Sequence, residues 1–188
     1  TKKILNMKPI YFTRFLFAAI LLLSFTFSAQ AQTGKPKSPP VTASHTVGGL
    51  TIDINYNAPS VRGREVWGTL VPNGKVWRTG ANSATTFAVN KDVMINGKKL
   101  AAGKYALFTI PGEGEWTIIF NKEANQWGAY SYDSEQDALR VTTKIGKAPV
   151  FTEQMTFKVG DNDEDIGVVS FLWENLQTSF SVNTDNQK

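Results

Sequence analysis

The 188-residue chain contains no cysteine. That absence excludes a disulfide framework, a thiolate nucleophile, thiolate metal ligation and a lipid-modified N-terminal cysteine. There is one histidine, His45, so a multi-histidine metal site is excluded and a Ser-His-acid triad would rest on that residue alone. Ser44 precedes it on an extended stretch, where successive side chains point to opposite faces, so the two are not a nucleophile and its base. No Gly-x-Ser-x-Gly elbow is present, and no Gly-rich phosphate loop follows a strand. His45 is expected to be a surface or hydrogen-bonded structural residue. No catalytic residue, metal ligand or cofactor is assigned.

A long hydrophobic run is also missing. The apolar stretch from Phe15 to Phe27 is interrupted by Ser24 and Thr26 and falls short of the roughly 20 residues needed to cross a bilayer. Basic Lys8 and Arg14 stand at its N-terminal side and the small-residue site Ala29-Gln30-Ala31 follows it. This order of basic, apolar and small-residue zones predicts a secretory signal peptide over residues 1–31. A real excess of positive charge is lacking as well. Of the 20 basic residues four lie in residues 1–31, which hold no acid, leaving 16 basic against 16 acidic residues in the rest. Nucleic-acid binding is excluded on that balance, because phosphate neutralisation needs a surplus of Lys and Arg.

Helical periodicity is scarce. Ser134 with Asp137 predicts one capped turn over residues 135–139, and nothing else sustains a 3.6-residue period. Period-2 alternation is what the chain has instead. Ile52, Ile54 and Tyr56 oppose Thr51, Asp53 and Asn55. Residues 93–95 and 98–100 flank Asn96-Gly97, a type I′ hairpin signal, and residues 104–110 and 115–120 continue the meander across Pro111-Gly112-Glu113-Gly114. Residues 151–159, 168–173 and 176–182 read as three more strands, with Trp116 and Trp173 on apolar faces that place them in the core. The expected fold is all-β: an antiparallel β-sandwich, jelly-roll-like, of about eight to ten strands with at most one short helix. The expected organisation is a signal peptide over 1–31, an extended Pro-rich tether over 32–43, one domain over 44–184 and a tail over 185–188. Asp161, Asp163, Asp165 and Gly167 have the spacing of the start of a calcium loop. Ile166 stands where that loop needs its glycine and Leu172 where it needs glutamate, so a solvated turn is expected.

One segment departs from alternation. Residues 61–82, VRGREVWGTLVPNGKVWRTGAN, concentrate Arg62, Arg64, Trp67, Trp77, Arg78 and Asn82. Asn121, Asn125, Gln126 and Trp127 form a second polar-aromatic loop. Together with AAGKYALFTIP, EWTIIFN, NQWG and a late WEN, this segment resembles the exported Bacteroidetes family called domain of unknown function 2911, over roughly residues 38–182. The resemblance implies an exported β-rich domain and carries no catalytic residue with it.

Two readings of the segment stay open on sequence. Indole faces with fixed Arg and Asn donors suit a ligand surface made of Arg62, Arg64, Trp67, Trp77, Arg78, Asn82, Asn121, Gln126 and Trp127. Alternatively, the tryptophans are core and the arginines tie a long loop to the sandwich through backbone carbonyls. The expected function is a non-catalytic binding module in the periplasm or at the outer membrane. Its partner is an envelope glycan, a peptide or a protein such as a component of an outer-membrane complex, through which alone it meets the membrane. The alternative is a small exported carbohydrate hydrolase whose two carboxylates come from Glu65, Glu113, Glu115, Glu123 and Glu174, set roughly 5 Å or 6.5–9.5 Å apart.

Overall fold

In the computed structural model, residues 35–163 and 166–184 are described. The expected signal peptide, the first residues of the tether and the tail lie outside them, as does Asp165. The order is β1 (Pro40–Val47), β2 (Leu50–Asn57), β3 (Thr85–Val89), β4 (Val93–Ile95), β5 (Lys98–Leu100), β6 (Gly103–Ile110), β7 (Glu115–Asn121), a 3₁₀ turn (Ser134–Gln136), β8 (Asp137–Asp163) and β9 (Ile166–Thr184). All neighbours pair antiparallel, in the order β1-β2-β3-β6-β7-β8-β9-β4-β5. The fold is all-β, as expected.

Local chemistry sets the turns. Gly48 and Gly49, at φ 54° and 73°, close the β1–β2 hairpin, and Asn96 and Gly97, at 45° and 76°, close β4–β5, both in the positive-φ backbone of a type I′ turn. Strand β2 alternates as its sequence demands, with Leu50, Ile52, Ile54 and Tyr56 buried. Strand β1 begins at Pro40, inside the expected tether. It is an edge strand whose exposed side carries no apolar period. Instead Thr42, Ser44 and Thr46 hydrogen-bond across to Asn55, Asp53 and Thr51. The 3₁₀ turn is capped by Asp133, whose carboxylate accepts from the Glu135 amide, rather than by Ser134, and β8 begins at Asp137 where a helix was expected to continue.

Strand β8 joins two leaves of one sheet. The first part of β8 pairs with β7, and the remainder pairs with β9 through register shifts after Lys147 and Thr152. The inner faces share one core. Ile52, Phe87, Trp116 and Phe120 of the first leaf pack with Phe157, Phe171, Trp173 and Phe180 of the second. Phe87, Phe120 and Phe180 form a ring cluster with centroids 5.0 to 6.1 Å apart. Gly167 of β9 lies so close to β2 that a Cβ there would sit 2.7 Å from Ile52 Cδ1. On the outer face of the first leaf a small cluster of Ala84, Ala106, Phe108 and Ile119 is covered by Ala129 and Tyr132. The segment between β7 and β8 therefore folds back over that face.

Candidate functional site

Residues 61–82 are anchored at several points. Ser60 bridges Gln154 of β8, and the Val61 amide donates to Glu153 O at 2.8 Å. Val66 and Val71 are buried and joined by a 2.8 Å backbone bond. Trp77 exchanges both backbone hydrogen bonds with Thr109 of β6, and the Ala81 amide donates to Asn57 O of β2. Arg62, Thr79 and Asn82 adopt φ of 51°, 53° and 58°. For a buried β-branched residue such as Thr79 this is strained backbone, costing on the order of 1–3 kcal/mol. It is held by hydrogen bonds from Thr79 Oγ1 to Trp77 O and Thr109 Oγ1 and by Thr85 Oγ1 donating to Thr79 O.

The anchoring puts four indoles together. Trp67 lies 5.0 Å from Trp116 and 5.7 Å from Trp173 edge-on, while Trp77 stacks on Trp173 at 5.8 Å and 15°. Trp67 and Trp77 are partly buried against the core. Beside them is a cavity of about 170 Å³ lined by Arg64, Leu70, Trp77, Arg78 and Trp173, with Ser38 at its margin. Three buried donors in this cluster, Trp67 Nε1, Arg78 Nε and Trp173 Nε1, have no hydrogen-bond partner. No carboxylate lines the cavity.

The predicted site residues therefore separate. Arg64 and Arg78 line the cavity with Trp77. Arg64 also donates to Val61 O and to Ser60 O, the loop-tying role that was the alternative reading. Arg62 turns away, donating from Nη2 to Lys37 O at 2.8 Å. Asn82 is exposed, and its carbonyl accepts from Gly128. With the Ser83–Trp127 bridge this zips the two polar-aromatic loops together. Asn121 is fully buried. Its amide donates to Asp133 O and Asp137 Oδ1 and accepts from Glu123 N and Gln126 Nε2, so it holds the loop and has nothing left for a ligand. Gln126 is buried and Trp127 is 67% exposed, and both line a separate hollow.

Sequence reasoning missed two contributors. Trp173 belongs to the core as expected and also walls the cavity, and Thr86 lines the separate hollow with its buried hydroxyl unpartnered. A strand residue that serves both the core and a cavity leaves no separate mark in a period-2 pattern. Near the second loop, Tyr132 donates to Asp137 Oδ2 and accepts from Arg140. Burial first, then its bond to Asp137, pushes the phenol up to about 12. His45 of β1 pairs with Asp161, which ties that part of β8 to the first leaf.

A family model described as Protein of unknown function (DUF2911) matches residues 38–182. The chain belongs to this family. No curated protein and no solved structure matches it. The DUF2911 match runs from Ser38 at the cavity margin to Val182 in β9, so it takes in every residue of the cavity and both loops. Among the described residues of this DUF2911 chain no His, Asp and Glu group is placed to hold a metal ion, and no helix is long and apolar enough to cross a membrane.

Proposed function

We propose that this DUF2911 protein is an exported, non-catalytic binding module of the cell envelope. Its cavity takes a carboxylate, a chain terminus or acidic side chain, from a peptide or protein partner. The observation that carries this reading is the set of unpartnered buried donors around a cavity without an acid. The Arg78 guanidinium makes no hydrogen bond or ion pair among the described residues, and its Nε is buried, as is Trp173 Nε1. Each buried N–H left unpaired costs about 1–3 kcal/mol. A ligand that supplies acceptor oxygens recovers that cost, and its apolar part finds Leu70 and the Trp77 ring. A volume of about 170 Å³ suits a side chain or chain end rather than a whole metabolite. The order of residues 8–31 supports export.

The hydrolase alternative gains no support from the geometry. Glu65 accepts from Thr69, Glu123 Oε1 caps the Asn125 amide, and none of the five candidate glutamates lines the cavity. The test is affinity capture from native envelope with residues 32–188 as bait, alongside titration with peptides that differ only in a free or amidated C-terminus. Free-acid peptides should bind and quench tryptophan emission, and Arg78→Gln should weaken them roughly 10- to 100-fold, the value of one charge-assisted pair. Equal binding of amidated peptides, or an unaffected Arg78→Gln variant, would remove the reading.

A further inference from the structure

Outside that cavity, the outer face of the first leaf carries a second concave surface of different chemistry. One cross-strand row runs Thr42, Asn55, Thr86, Ala106 and Asn121 through β1, β2, β3, β6 and β7. The β7–β8 segment covers its far end, where Asn121 is buried. The uncovered part is a hollow of about 500 Å³ lined by Thr42, Asn55, Asn57, Ser83, Thr86 and Lys104. It shares Ser83, Ala84 and Thr86 with the second hollow, of about 330 Å³, which ends on Asn125, Gln126 and Trp127. The two make one continuous groove. Its polar lining is hydroxyls and amides, with Lys104 as the one charge and no acid.

Two built-in features point to a ligand. Gln126 is 7% exposed, and its Nε2 donates to Glu123 O at 2.7 Å and to Asn121 Oδ1 at 3.1 Å. Glu123 O is a carbonyl and accepts only, so the amide orientation is fixed and Oε1 is the acceptor left over, buried and unpartnered. Thr86 Oγ1 is likewise buried without a partner. At the rim the Trp127 ring is 67% exposed although its backbone is bridged to Ser83, so the indole is presented from an anchored position.

We propose that this groove binds a neutral oligosaccharide chain. The lining asks for hydroxyl donors to meet Gln126 Oε1 and Thr86 Oγ1, and for a flat C–H face against the Trp127 ring. A pyranose chain supplies both. The near absence of charge excludes a polyanion such as nucleic acid. A peptide bound as an added strand fits worse, because that mode relies on main-chain bonds at a free sheet edge. The groove lies on a sheet face where β1, β2, β3 and β6 already pair with one another. This surface shares no lining residue with the donor-rich cavity, so the two sites stand or fall separately.

The test titrates residues 32–188 with neutral hexaoses, β-1,4-glucan, β-1,4-mannan, β-1,4-xylan and α-1,4-glucan, with hexa-galacturonate as the charged arm. Binding is read by calorimetry and by the Trp127 indole N–H resonance. At least one neutral hexaose should bind and shift that resonance. Trp127→Ala should weaken it about tenfold, as removal of a stacking aromatic does, and Thr86→Val about three- to tenfold for one hydrogen bond. Phe151→Ala, another exposed aromatic, on β8, should leave affinity unchanged, and far-UV circular dichroism confirms that each variant is folded. No binding by any neutral hexaose, binding by hexa-galacturonate alone, or full affinity in folded Trp127→Ala would overturn the assignment.

Discussion

Thr79 shows how a single residue connects fold to site. Its backbone sits at φ 53°, and its hydroxyl bonds Trp77 O and Thr109 Oγ1, so the residue next to Arg78 is fixed from both sides. Thr79→Val keeps the shape and removes the hydroxyl, leaving Thr109 Oγ1 buried without its partner. The expected loss is about 1–3 kcal/mol of stability, seen as a lower urea midpoint with an unchanged slope, and an unmoved midpoint would show that the strained turn is held by other means. Sequence drew attention to this segment, because glycines, arginines and tryptophans off the strand period are visible in any reading. It did not separate Arg62, which reaches Lys37, from Arg64 and Arg78, which line the cavity. That separation depends on positive φ at three non-glycine positions, and no residue type announces it. Asn121 was grouped with the ligand residues for its polarity, whereas all its hydrogen-bonding capacity is spent inside the loop.

Among the elements, legibility followed burial only in part: β3, buried at Thr85, Phe87 and Val89, was not among the expected strands, nor was the first part of β8. Strand β2 alternates because one side faces the core, so its register could be read directly. Strand β1 is an edge whose exposed side is Thr and Ser, and no apolar period marked it. The late strands were divided into three because Glu174, at φ 56°, and the register shifts in β8 interrupt the alternation without ending the strands. The segment between β7 and β8 has no period at all and is held by polar bonds, among them the Tyr132–Asp137–Arg140 group. Tyr132 ionises at about 12 in the folded chain, against an ordinary 10.0. A raised folded pKa gives stability that is complete below pH 10 and lost as pH climbs toward 12. Wild type should therefore exceed Tyr132→Phe in stability by a constant margin below pH 10, and the margin should shrink between pH 10 and 12. Urea midpoints measured across that range check the sign, and a margin that widens there would contradict it.

At the scale of the molecule, the sandwich class was legible because period-2 runs separated by Gly, Pro and Asn turns admit few other folds. The strand order was not, since β9 next to β4 and β3 next to β6 are long-range pairings with no local cause. Strand β8 pairs with β7 in the first leaf and with β9 in the second, and the main core lies between the two leaves. Trp116 and Phe171, or Phe120 and Phe180, lose their partners together if the leaves part. Both proposed surfaces inherit this dependence. The cavity takes Trp77 from the loop on the first leaf and Trp173 from the second, and the groove needs the β7–β8 segment seated on β6 and β7. The described strands all lie in the compact unit Pro36–Lys188. Expressed from Pro36 onward, the unit should unfold in one cooperative transition, with tryptophan emission and far-UV circular dichroism giving the same midpoint. The tryptophans report the shared core and the dichroism reports all strands. An earlier emission transition would mean that the leaves separate before the sheet melts, and the cavity would then be a weak point of the fold rather than a product of its core.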